Sequence, residues 1–197
     1  MAESRSSITP QTNPRGIPVA PFVDNVTDYV STRADVEKTL RNFQEMISKY
    51  QFMEVNAQNR AVGLRDKIPD IKKTLEMVSF LKRRRDASAD PLETSFELND
   101  TLYARAAIHP DQTDEVYLWL GANVMLAYPI AEAETMLREK LAAAELSLAH
   151  CEEDLEFLRE QITTMEVATA RVYNWDVMQR RKEKADGKGD EDETETK

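Results

Sequence analysis

Few residues in this chain could carry bond chemistry. The two histidines are His109, beside Pro110 in a polar run, and His150, next to the single cysteine, Cys151. Cys151 falls on an apolar helical repeat and reads as core packing rather than as a nucleophile. His150 points off that repeat, toward solvent. There is no glycine-rich phosphate loop, no metal-ligand spacing and no Ser/His/Asp set that a fold could bring together. Carboxylates abound, but they flank helical repeats, where charge runs are solvated faces. The sequence predicts neither an enzyme nor a metal or cofactor site. Its other chemistry is recognition. Tyr173, Trp175, Val177 and Met178 lie mostly off the repeat around Val172, and Tyr29, Val30, Phe22 and Val26 are expected near them. Two readings fit these groups. They cap one another under a proline-rich strap, or they form an adaptable apolar surface of the kind that Met and aromatic side chains provide.

Long helices must position these residues. From Ile130, steps of alternately four and three residues reach Glu134, Leu137, Leu141, Ala144, Leu148, Cys151, Leu155, Leu158, Ile162, Met165, Thr169 and Val172. Only Glu134 and Thr169 are polar, and the period is 3.5, the spacing of a coiled-coil seam. A second seam, in unbroken phase, runs through Val36, Leu40, Phe43, Ile47, Tyr50, Glu54, Ala57, Ala61, Leu64, Ile68, Ile71, Leu75 and Val78. Pro69 stands one place after a seam position, so one bent helix is expected rather than two. The seams are equally long, roughly 63 Å at the helical rise per residue. Each is the other's partner in an antiparallel pair, with Val36 near Val172 and Val78 near Ile130. Thr32 followed by Asp35 resembles a helix cap with an acidic first turn.

Composition agrees with thin cores and long helices. Aromatics are 7%, charged residues 31%, and there are five glycines among 197 residues. A net charge of −10 argues against a nucleic-acid partner. The short basic run Lys82-Arg83-Arg84-Arg85 suits a helix C-terminus instead. No apolar run is long enough to span a membrane, and no secretory h-region is present. One cysteine cannot form an internal disulfide, which favours a reducing, cytoplasmic location.

Residues 1–27 read as a flexible or extended segment. Its closely spaced prolines, Pro14 to Pro21, forbid a helix, and Ile17, Val19, Phe22 and Val23 are more apolar than a linker requires. A tethered tail and an apolar strap are both consistent with this. Helices are expected over 28–85 and 129–183, with Pro129 as the first residue of the second, and an acidic disordered tail over 184–197. Between the helices, 92–128 changes period to two. Phe96 and Leu98 precede Asn99-Asp100, and Leu102 and Tyr103 follow it. Val116, Leu118, Trp119 and Leu120 precede Gly121-Ala122-Asn123, and Val124 and Leu126 follow it. These are two hairpins. Their apolar faces and open edges predict obligate pairing with other chains. The fold class is mostly α with a small β insert.

Helix, two hairpins and helix, with strands used for assembly, resembles the α-class subunits of prefoldin. The likeness is strongest at Arg15-Gly16-Ile17-Pro18, Lys49 to Glu54, Leu98 to Tyr103, Leu118 to Leu126, and Thr163 to Val177. The resemblance implies a cytosolic hexamer of two α-class and four β-class subunits, whose hairpins build a β-barrel platform bearing coiled-coil tentacles. Such a complex acts without ATP, holds unfolded actin and tubulin with its distal tips and passes them to the cytosolic chaperonin. Placing client contact at Tyr29, Val30, Val172, Tyr173, Trp175, Val177 and Met178 is an expectation of this reading. A coiled-coil scaffold or tether with one folded partner is the alternative.

Overall fold

The computed structural model describes residues 12–185. In chain order it contains a 3-10 turn at Val26–Asp28, helix α1 (Arg33–Asp86) and strands β1 (Leu92–Asn99) and β2 (Leu102–Ile108). A second 3-10 turn, Pro110–Gln112, leads to strands β3 (Glu115–Gly121) and β4 (Val124–Pro129) and to helix α2 (Ile130–Ala185). Two long helices and two antiparallel hairpins make the mostly α architecture that the repeats predict. Most of the acidic tail, and the first eleven residues, lie outside the described residues. The chain divides into two compact units, one built from Met1–Gln58 and Glu152–Lys197, the other from Asn59–Cys151.

The first helix begins at Arg33, not at residue 28. Asn25 caps the short turn at Val26–Asp28, and at the start of α1 the Asp35 side chain reaches back to Thr32. The Asp35 carboxylate accepts from the Thr32 amide at 3.1 Å and from its hydroxyl at 2.7 Å. This satisfies a helix-terminal donor that would otherwise lack a partner. The hydroxyl bond is the main reason the Asp35 carboxyl lies below its usual range. The chain stays helical through Pro69. Pro129 closes the β3–β4 ladder opposite Glu115 instead of opening α2. It has no amide hydrogen to offer, and the first helical amide, that of Ile130, donates to the Asp114 carbonyl.

In the first unit, Val36, Phe43, Ile47 and Tyr50 of α1 and Leu158, Met165 and Val172 of α2 are buried in one cluster. Pairs between Arg33 and Glu183 and between Glu54 and Arg159 show the helices antiparallel here. Residues 12–25 pack on this helix pair as a strap, and its Ala20 and Val23 belong to the same cluster. Ala168 and Gln161, both beside the seam rather than on it, are buried as well. A seam one stripe wide would leave them wet; the strap is what covers them.

In the second unit, Val78 of α1, Ile130 and Ala133 of α2 and Leu118 of β3 form the core, with Val116, Tyr128, Met136 and Leu137 against it. Glu134, the polar exception in the α2 seam, accepts from Lys82 at 2.6 Å and from Ser79 at 3.2 Å. The Lys82 bond, chiefly, holds its carboxyl below the ordinary carboxylate range. Lys72 pairs with Glu145 farther along the same antiparallel helices. Between β3 and β4, Gly121, Ala122 and Asn123 all have positive φ, the left-handed backbone that a tight hairpin turn requires.

Candidate functional site

Two surfaces stand out, one in each unit. In the first unit the strap opens with a turn, in which Thr12 bridges Pro18 and the Asn13 amide donates to the Ile17 carbonyl, and then runs on through residues 18–23, held by side chains that grip its main chain. The Tyr50 hydroxyl donates to the Pro18 carbonyl at 3.1 Å, and the Ala20 amide donates to Gln161 Oε1 at 2.8 Å. The Arg171 guanidinium donates to the Val23 carbonyl at 2.6 Å. Burial raises the pKa of the Tyr50 phenol. At the start of the strap, Asn13 and Arg15 both bond the Asp154 carboxylate, and Arg15 also pairs with Glu153. That Asp154 contact is the chief reason the Arg15 pKa rises.

The recognition residues predicted around this strap separate by burial. Val30 and Val172 are 1% and 0% exposed. They are core residues, in one buried cluster with the strap's Val23, and so are closed to solvent. Trp175 is half-buried against the same core, and Val177 is half-buried too. Tyr29 stands edge-on to Phe43, with ring centroids 6.2 Å apart, and keeps part of its ring in solvent. Tyr173, Met178 and the strap's Phe22 are exposed. Phe22 lies outside with the Arg171 guanidinium 5.1 Å from its ring centroid, a cation–π contact. Asp176 continues the α2 seam and is buried, paired with Arg180 at 2.7 Å and with Arg33 at 3.6 Å. A concave, mainly apolar surface of about 840 Å³ opens beside the strap, lined by Pro18, Met46, Tyr50, Phe52 and Met53.

In the second unit each hairpin is a separate two-stranded sheet. Phe96, Leu98, Leu102 and Tyr103 on the first hairpin, and Trp119, Leu120, Val124 and Leu126 on the second, present large apolar side chains to solvent. Val116 and Leu118 do not belong with them. Leu118 is only 8% exposed and packs on Ile130, with Val116 beside it. Strand alternation turns these two inward and Tyr117 and Trp119 outward. The hairpin residues available to other chains are therefore the outward set.

Gln161 and Arg171 escaped the sequence reading. Off the seam and polar, they resemble any solvated flank residue, and only the docked strap distinguishes them. Among the described residues no helix is long and apolar enough to cross a membrane.

A family model described as Prefoldin subunit matches residues 50–175. The chain is similar to a protein named Prefoldin subunit 3 from Elsinoe fawcettii. The two are 68% identical over 178 residues, covering 90% of this chain and 88% of that relative. A protein named Probable prefoldin subunit 3 from Schizosaccharomyces pombe is 52% identical over 172 residues, 87% of this chain and 97% of its own length. One named Prefoldin subunit 3 from Homo sapiens is 44% identical over 170 residues, 85% of each chain.

Proposed function

Because this chain belongs to the prefoldin family of co-chaperone subunits, we propose that it works in a cytoplasmic hexamer with one further α-class and four β-class subunits. In this reading the complex holds unfolded actin- and tubulin-type chains without ATP and hands them to the cytosolic chaperonin. The observation that carries it is the pair of separate hairpins, whose outward faces expose Phe96, Leu98, Trp119 and Leu126. Unpaired strand edges beside such apolar area invite strands from other chains. Client holding is assigned to the exposed side chains of the first unit: Tyr29, Tyr173 and Met178, flanked by Trp175 and Val177. Their types suit weak, sequence-tolerant contact with unfolded polypeptide.

Native mass of the complexes recovered on a tagged chain tests the assembly. A six-chain complex with one copy of this chain is the expected result; a homodimer, or one large folded partner, would instead make it a scaffold. Replacing Tyr29, Tyr173 and Met178 together by Ser should then reduce capture of unfolded actin by the intact complex. Unchanged capture would remove those residues from the client site.

A further inference from the structure

We propose that the groove beneath residues 17–23 is a binding site for extended apolar polypeptide, which this chain fills with its own strap. The inference rests on the chaperone reading and adds to it a particular site with a built-in occupant. What points to it is the manner in which the strap is held. Tyr50, Gln161 and Arg171 bond the main chain at Pro18, Ala20 and Val23. Main-chain bonds of this kind hold an extended segment whatever its side chains, while pockets take those that point inward. Here Ala20 and Val23 are buried in the groove among Leu158, Met165 and Ala168, whereas Phe22 and Val19 face out.

Gln161 makes the case stronger. It is 7% exposed, and its amide oxygen is aimed at a strap amide rather than at its own helix. A buried polar group is costly without a partner, so the groove is matched to an extended backbone. The strap is also tethered separately, by Asn13 and Arg15 on Asp154 and Glu153, at side chains outside the groove. The anchor and the groove can therefore be altered independently. Loosening the anchor leaves the main-chain contacts intact for another occupant.

The complex purified with the full chain is compared with one carrying Asn13→Ala and Arg15→Ala. The probes are two fluorescein-labelled peptides, one of residues 12–24 and one with the same residues in scrambled order. Both should bind the variant severalfold more tightly than the wild type, because the competing strap is released more often. A second complex, whose chain lacks residues 1–24, should bind both at least about tenfold more tightly than the wild type. Adding Gln161→Ala and Arg171→Ala to the truncated chain should weaken both probes about tenfold, the loss expected for the main-chain bonds removed. Binding of the native order alone would overturn the proposal and make the strap a sequence-specific clip. Equal binding to wild type and variants would overturn it too. Neither readout uses a client, so failure of the wild-type complex to capture actin would sink the chaperone reading and leave the groove to be judged by its peptides.

Discussion

Gln161→Ala offers the sharpest check on how the strap is held. The substitution keeps α2 helical, since alanine is the best helix former, but it deprives the Ala20 amide of its acceptor. Ala20 is buried, so water cannot readily replace the lost 2.8 Å bond. A buried donor left without a partner costs about 1–3 kcal/mol. At about 1.4 kcal/mol per factor of ten, the released population of the strap should rise roughly five- to 150-fold. The peptide bond after Arg15 reports this directly. Trypsin must take the Arg15 side chain, which the docked strap commits to Asp154 and Glu153. When reclosing outpaces cleavage, the initial rate of cutting tracks the open population. Glu160→Ala, one residue away and exposed, is the control and should alter the rate by no more than about twofold, as surface changes within 0.5 kcal/mol do. If Gln161→Ala cuts no faster than this control, the Ala20 bond does not hold the strap and the grip described here is wrong.

Four further outcomes follow from the structure. Leu118→Ala should destabilise the hairpin-bearing unit by about 2–5 kcal/mol, as large-to-small core changes do, visible as a lowered Tm. Trp119→Ala, at a site 61% exposed, should leave that unit folded and instead reduce the share of chain recovered at the native mass of the complex. Asp35→Ala should cost about 1 kcal/mol by removing the carboxylate that accepts from the Thr32 amide and hydroxyl, read as faster amide exchange at the start of α1. Glu134 has a carboxyl pKa below its ordinary value of 4.5 when folded. Its contribution is therefore present above that pH and lost as pH falls through the depressed pKa. Glu134→Gln should flatten the corresponding acid limb of a plot of Tm against pH; an unchanged limb would show that the Lys82 contact does not set it.

The helices were the most legible part of the chain. A period of 3.5 sustained from Val36 to Val78 and again from Ile130 to Val172 depends only on local spacing, so one dimension suffices to read it. Turn chemistry at Gly121-Ala122-Asn123 and the alternation of β3 marked the hairpins for the same reason. The candidate surfaces were only half legible. Tyr173 and Met178 are exposed, while Val30 and Val172 went into the core, because membership of an apolar cluster does not say which members face inward. Leu118 and Trp119 are neighbours in sequence and equally apolar, yet Ile130 covers one and the other stands 61% exposed.

What residue order by itself determined is the local periodicity: two helical seams, two hairpins and a polyproline-punctuated segment that cannot be helical. Whether that segment was a tail or a strap was decided only in three dimensions. Its grip comes from Tyr50, whose seam position hides the hydroxyl's role, and from Asp154, Gln161 and Arg171, far away in sequence and polar enough to pass for solvated surface. Hydrogen bonds to a main chain leave no pattern in the side chains that receive them. They become visible only when folding brings the Pro18, Ala20 and Val23 backbone against α1 and α2.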